Sequence, residues 1–347
     1  MRRSFISRAF VWAVGVFFFS FARAADPTLP PALKAQVQAI LQTSQAVGAA
    51  VLLIDALGVS AAYWHGDVRA GTCHSAGAAG DALVAMVAMR LAERGKADLY
   101  ASLPPSLSKS LGMPTAAVCK GKNNVSLSHL LEHSSGLGGP PTEGRICSAS
   151  RTAYSAWGIS LAALALEKTT QTSMNALMKR EVFAPLAMDS SNWSLGISAT
   201  SADSNCDGAT NLPKAGLITT PHDMANLVQM LVQRGQVEAK PYLPQCAIER
   251  MGISVSGASM LGGNTTAAID RAEYGLGLQR FKVGGKPWLG YSGDSQDSRW
   301  VWGFSSQSQT GMVIVLGHDD AIKLAALKTA VATFLQKDAA KVVANSR

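Results

Sequence analysis

Three short stretches bring together residue types that could do chemistry. Ser106-Leu107-Ser108-Lys109 is the only S-x-x-K in the chain. Residues three apart share a helix face, so the lysine amine could take the proton of a serine nucleophile. This pair, however, follows Pro104-Pro105 in a predicted loop, after a buried helix rather than at its start. His129-Leu130-Leu131-Glu132-His133 matches H-x-x-E-H, and histidines four apart on a helix could supply two zinc ligands. The other reading is a structural histidine in a leucine-rich segment with an incidental glutamate. Cys73 stands beside His74 and could be a thiol nucleophile, or a strand cysteine that is packed or bridged. No G-x-S-x-G elbow occurs, which argues against an α/β-hydrolase. His222 and Asp223 open a predicted helix, where capping explains them better than chemistry.

The elements that must position such groups fall into a pattern. Residues 30–44 read as an amphipathic helix. Val47 to Asp55 and Val59 to Trp64, around Ala56-Leu57-Gly58, read as a hairpin. Ala82 to Arg94 is apolar almost all round, which predicts a buried helix ending at Gly95. Residues 100–125 read as a surface crossing. Helices are expected at 126–133, 153–169, 172–182 and 219–234, the last opened by Thr219-Thr220-Pro221. Asn192 to Pro213 reads as loop. Strand character returns at 273–281, 287–292, 298–306 and 310–317, followed by a helix over 319–336. The economical fold is α/β (α+β): one antiparallel sheet built from both termini and packed by helices, with an inserted helical lobe. The sheet lobe would take residues 30–75 and 265–340 and the helical lobe 76–264, with a binding cleft between them.

Residues 1–24 read as a signal peptide. Arg2, Arg3 and Arg8 precede the apolar run Ala9 to Ala22, and Ala22-Arg23-Ala24 has the form of a cleavage site before Ala25. Arg2-Arg3 is also compatible with twin-arginine export. The expected location is periplasmic or secreted, with residues 25–347 forming one domain and no membrane span after cleavage. Removing the segment's four arginines leaves 27 basic residues against 23 acidic, so the net charge falls from +8 to +4. That balance gives no support for nucleic-acid binding. The hydrophobic share of 48% excludes a disordered chain. Export places the five cysteines where bridges persist. The expected pairs are Cys119–Cys147 and Cys206–Cys246, leaving Cys73 over, although pairing does not follow from sequence alone.

Several segments in order resemble the β-lactamase/penicillin-binding serine hydrolase family, in its class C, D-alanyl-D-alanine carboxypeptidase and esterase branch. Leu130-Leu131-Glu132-His133-Ser134-Ser135-Gly136-Leu137 resembles that branch's LLxHxSGL segment. Arg151 to Trp157 and Val182 to Asp189 resemble its Y-S-N and P-L-G-M blocks. Ala215 to Met224 resembles a helix start of the family, and Tyr274-Gly275-Leu276-Gly277 and Gly290-Tyr291-Ser292-Gly293 resemble strands beside its site. The resemblance implies a β-lactamase/transpeptidase-like fold. It also implies a serine at the start of a buried helix, a lysine three residues on, a Tyr and Asn pair, and a Lys/His-Thr/Ser-Gly triplet on a strand.

Here the sequence departs from that pattern. Anchoring on Leu91 to Leu99 puts Ala78 at the serine position and Asp81 at the lysine position. Tyr154 and Ser155 are kept, but Ala156 stands for the Asn, and Tyr291 stands for the Lys or His before Ser292 and Gly293. The resemblance therefore implies a catalytically impaired or inactive homologue. Its pocket would be lined by Tyr154, Ser155, Ser292, Gly293 and Asp294, without metal or cofactor. It would hold a small-molecule or peptide-like ligand, or a cell-wall-related partner. Loss of two positive charges favours a neutral or cationic ligand. The alternative is an active esterase, amidase, β-lactamase or D-amino-acid peptidase with a non-standard nucleophile such as Ser75 or Ser106.

Overall fold

The computed structural model describes residues 27–44, 46–110, 125–137, 154–195, 215–253, 273–295, 298–317 and 321–345. The signal segment, Cys119, Cys147 and Cys206 lie outside them.

Helix α1 (Pro31–Gln42) leads into the hairpin β1 (Gly48–Asp55) and β2 (Gly58–Gly66). Strand β3 (His74–Gly77) runs into a 3₁₀ turn (Ala78–Gly80) and then helix α2 (Asp81–Glu93). Helices α3 (Pro105–Ser110), α4 (Leu127–Leu131), α5 (Ala156–Thr170) and α6 (Met174–Met178) follow, the last continued by a π-helical turn (Lys179–Phe183). Next come β4 (Asn192–Leu195), β5 (Ala215–Thr219), α7 (Pro221–Val232), β6 (Gln236–Val237), β7 (Lys240–Pro241) and α8 (Gln245–Gly252). The chain closes with β8 (Glu273–Tyr274), β9 (Gln279–Val283), β10 (Lys286–Asp294), β11 (Ser298–Ser305), β12 (Thr310–Gly317) and α9 (Ala321–Asn345).

Seven strands form one antiparallel sheet in the order β2-β1-β12-β11-β10-β9-β8. The two ends of the chain therefore meet at β1 and β12, in register from Gly48 opposite Gly317 to Ile54 opposite Gly311. Side chains alternate across a strand. Ala49, Val51 and Leu53 pack with Leu33, Val37, Leu327 and Val331 of α1 and α9 on one face. Ala50, Leu52 and Ile54 pack on the other face with α2 and α7. Burial on both faces explains why β1 reads as a continuous apolar run rather than an alternating one.

A second sheet, β3-β5-β4, was not foreseen. Asn192 to Leu195 belongs to it, although the composition there reads as loop. The bond register Asn192–Leu195 against Ile218–Ala215 and the buried Trp193 outweigh the turn-forming residues. Three further expectations are corrected. Ser106 and Lys109 sit on α3, a short exposed helix, not in a loop. The strand expected at 273–281 is broken at Gly277 (φ +84°), where an added Cβ would stand 2.1 Å from Ala85 Cβ on α2. Cys73 is disulfide-bonded and Cys246 is free and exposed, so neither the Cys206–Cys246 bridge nor a leftover Cys73 holds.

Among the described residues no helix is long and apolar enough to cross a membrane.

Candidate functional site

The segment Ser75–Asp81 is held against the large sheet by two tryptophans of β11. The Trp302 indole N–H donates to the Ala79 carbonyl at 2.9 Å, and the Trp300 indole N–H donates to the Ser75 carbonyl at 3.0 Å. Ser298 Oγ donates to the same Ser75 carbonyl at 2.8 Å. Both indoles are fully buried, so these bonds satisfy donors that would otherwise be costly. Backbone meets backbone where β10 passes the 3₁₀ turn. An added Cβ on Gly293 would lie 2.1 Å from the Ala79 nitrogen, and one on Gly77 (φ +49°) 2.1 Å from the Asp294 carbonyl oxygen. Glycine at both places lets the start of α2 lie on the edge of β10.

Ala78 opens the 3₁₀ turn and is half-buried, while Asp81 opens α2 and is 8% exposed. Tyr154 lies just before α5, and its hydroxyl donates to Asp81 Oδ2 at 2.9 Å. The buried Tyr291 hydroxyl also bonds Asp81. Behind Tyr291, its oxygen lies 3.1 Å from His133 Nε2. His133 Nδ1 accepts the Ser155 backbone N–H at 3.1 Å. That bond leaves the hydrogen of a neutral imidazole on Nε2, where it faces Tyr291. A directed chain results: His133 donates to Tyr291, and both tyrosines donate to Asp81.

Burial pushes the Asp81 carboxyl up to about 7, against the pull of the Tyr154 and Tyr291 hydroxyls. Burial likewise pushes His133 down to about 4, so it stays neutral at ordinary pH. The phenols of Tyr154, Tyr274 and Tyr291 are all raised, first by burial and then by neighbours that include the Asp81 charge. Tyr274 completes the aromatic wall, with its ring 5.9 Å from that of Tyr291 and 4.7 Å from that of His133. Its hydroxyl accepts from Gln279 Nε2 at 2.8 Å, and Gln279 Oε1 accepts both the backbone N–H and the hydroxyl of Ser292 at 3.1 Å.

The other expected residues divide in two. Ser292, Asp294 and Ala156 are exposed, whereas Ala78 and Tyr154 are half-buried. Asp294 pairs with Arg299 at 2.7 Å. Gly293 is buried against the 3₁₀ turn, and the buried Ser155 hydroxyl caps α5 by accepting the Gly158 N–H at 2.8 Å and donates to the Leu137 carbonyl. Ser75 is 1% exposed on β3. Tyr274, Gln279 and the role of His133 were not singled out from sequence. The Tyr-Gly-Leu-Gly segment carried a signal for Tyr274, but the partner of a buried hydroxyl cannot be read from a linear motif.

The H-x-x-E-H segment does not lie on one helix. Helix α4 ends at Leu131, and His133 has φ +56°. His129 Nδ1 accepts the Ser126 N–H at 3.1 Å in a capping box, and Glu132 pairs with Arg250. No cluster of three or more potential metal-ligating His, Cys, Asp or Glu occurs among the described residues. His222 and Asp223 stand in the first turn of α7. Thr220 caps it by accepting the Asp223 N–H at 3.1 Å, and Asp223 Oδ2 accepts from Ser190 N–H at 2.9 Å and from the Ser191 hydroxyl at 2.8 Å.

Known structures share this architecture at low identity. The octameric penicillin-binding protein homologue from Pyrococcus abyssi aligns with TM-score 0.68 and 18% identity over 88% of this chain and 77% of its own. A beta-lactamase/D-alanine carboxypeptidase from Yersinia pestis gives 0.65 and 18% over 89% and 98%. A D-stereospecific amidohydrolase from Streptomyces gives 0.61 and 16% over 83% and 96%. No curated protein matches the chain in sequence. The Beta-lactamase family profile matches residues 33–333, a span that runs from within α1 to within α9, and the chain belongs to that family.

Proposed function

We propose that this is an exported β-lactamase-family protein, of the class C and carboxypeptidase kind, that binds a ligand without serine acyl chemistry. The observation that carries this reading is the Tyr154 hydroxyl donating to a carboxylate at position 81. In the resembled pattern an amine stands there and takes the proton of a serine one turn earlier. Here the group one turn earlier is the methyl of Ala78, which has no electron pair to attack with. The hydroxyls of Ser75 and Ser106 give no substitute. The first is buried in a strand, and the second lies exposed on α3.

The ligand is small or peptide-like, such as a cell-wall fragment, and enters beside Ala78, Tyr154 and Ser292. The names of the carboxypeptidase and amidohydrolase neighbours support a peptide-like ligand. With Asp81 and Tyr291 replacing cationic groups, an anionic ligand loses attraction and a neutral or cationic one is favoured. The Arg2-Arg3 leader and the bridged Cys73 support a periplasmic or secreted location.

The test is trapping with a broad serine-reactive phosphonate, followed by peptide mass spectrometry on protein shown to be folded. The expected result is no stoichiometric adduct. An adduct on Ser75, Ser106 or any other serine would establish the active-hydrolase alternative instead.

A further inference from the structure

The directed hydrogen-bond chain fixes more than the absence of a nucleophile. His133, Tyr291 and Tyr154 all send their hydrogens toward Asp81 when the carboxyl is ionised. The Tyr154 proton is then committed inward, so its oxygen has only lone pairs to offer a ligand. Tyr154 is half-buried; Ala156, two residues on, is exposed, as is Asp294, whose charge acts on the Tyr154 phenol. As the half-buried member of the network, bonded to the buried Asp81, Tyr154 therefore presents an acceptor backed by a negative charge.

We infer that Tyr154 and Asp81 form a subsite for a ligand ammonium, or a comparable N–H donor group, occupied when Asp81 is ionised and reversed in polarity when Asp81 is protonated. This deepens the binding reading above and rests on it. Protonation gives the carboxyl a hydrogen of its own. That hydrogen can go to the Tyr154 oxygen, and the Tyr154 hydrogen is then free to turn outward to a carbonyl or carboxylate. One residue's titration thus exchanges an acceptor for a donor at the floor of the site.

The groups facing Asp81 leave it as the titrating member. Tyr154 before α5, Tyr274 on β8 and Tyr291 on β10 have phenols raised above their usual range. His133 after α4 is neutral above about 4. Asp294 on β10 faces Tyr154 and is paired with Arg299 on β11.

The test uses two size-matched probes, n-butylammonium and butyrate, followed by NMR on the full mature chain. An alkylammonium keeps its charge across this range, as a lysine does. With the Asp81 carboxyl at about 7, n-butylammonium affinity is expected to rise about tenfold from about pH 6 to pH 8. Butyrate is expected to weaken over the same interval. Asp81→Asn is expected to abolish both trends. Tyr154→Phe removes both the acceptor oxygen and a donor to the carboxylate, so n-butylammonium should bind more weakly at pH 8 while the Asp81 carboxyl, followed by NMR without probe, titrates at higher pH, a pairing that a purely structural role would not produce. Flat n-butylammonium binding, no binding at pH 8, or butyrate binding equally well there would overturn the subsite. A phosphonate adduct appearing while the pH trends persist would instead overturn the non-catalytic reading alone.

Discussion

The Tyr154 hydroxyl and Asp81 Oδ2 lie 2.9 Å apart, with Tyr291 bonding the same carboxylate, so the Asp81 side chain accepts hydrogens from two phenols. A carboxylate at the first residue of a helix is favoured by the helix dipole. Its burial costs more than the dipole and the two hydroxyls return, because the carboxyl is raised from 3.8 to about 7.

That shift has a consequence for stability with a definite sign. A raised carboxyl binds more protons in the folded state, so its contribution is present below about pH 4 and is lost as pH rises to about 7. His133 works in the opposite direction. It is lowered from 6.5 to about 4, so its contribution is present above the higher value and is lost as pH falls toward the lower. Over the shared interval the two slopes oppose each other. Asp81→Asn removes one of them. The variant should gain on the parent between about pH 4 and pH 7 by up to about 4 kcal/mol, and it should become the more acid-sensitive protein. Urea titrations of both proteins at several pH values measure this, and parallel pH profiles would refute it.

The contact of β10 with the 3₁₀ turn makes a second prediction. Gly293→Ala places a methyl against the backbone of Ala79 and Ala76, at 2.1 Å from the Ala79 nitrogen and 2.7 Å from the Ala76 oxygen. Backbone on both sides cannot swing away as a side chain would. A loss of at least about 2 kcal/mol is expected, with the start of α2 displaced. Gly71→Ala is the control, since nothing lies within 4 Å of an added Cβ there. Thermal melts that show equal midpoints for both variants would contradict the close approach.

The cysteines give a third. Cys73 is bonded just before β3, the strand that leads into the site, whereas Cys246 is free and exposed on α8. Cys73→Ser is expected to cost about 2–5 kcal/mol, and Cys246→Ser close to nothing. Thiol counting on the oxidised protein should find Cys246 reactive and Cys73 blocked. The opposite labelling would refute the assignment.

How much of this was legible in the sequence follows from where the information resides. The β1–β2 hairpin, α2 and the α7 start at Thr220-Pro221 were all readable, because periodicity and capping are local. The meeting of β1 with β12 followed from strand character at both ends. The small sheet was not readable. Strand β3 has four residues, and its partner β5, with β4 on the far side of β5, lies far along the chain in Ser- and Gly-rich text. At the site, Ala78, Asp81, Tyr154 and Tyr291 could be set side by side through motif order. The His133–Tyr291 bond could not, because it depends on a residue with φ +56° just past a helix end. The cap that Ser155 makes on α5 was not legible for a related reason: whether a serine hydroxyl turns onto a helix start is decided by its χ1 angle and burial, not by its neighbours in sequence.

The last prediction bears on the register itself. If Ala78 and Asp81 occupy the serine and lysine positions, they are one turn apart at the start of α2 with Tyr154 against the second of them, and replacing both should rebuild a reactive pair. Ala78→Ser alone should remain inert to the phosphonate, since the Asp81 oxygens already accept two tyrosine hydroxyls. Asp81→Lys alone supplies an amine with nothing to deprotonate. In the double variant the introduced amine is desolvated in a site only 8% exposed, which lowers its pKa and leaves a neutral base beside the introduced hydroxyl. The tyrosine oxygens can accept from that amine, as they cannot from a carboxylate. A covalent adduct on residue 78 in the double variant, and in neither single one, is the expected outcome by intact-mass analysis. A folded double variant that forms no adduct would mean that the acyl-transfer geometry stands elsewhere or is missing another group, with Ala156 the first position to replace.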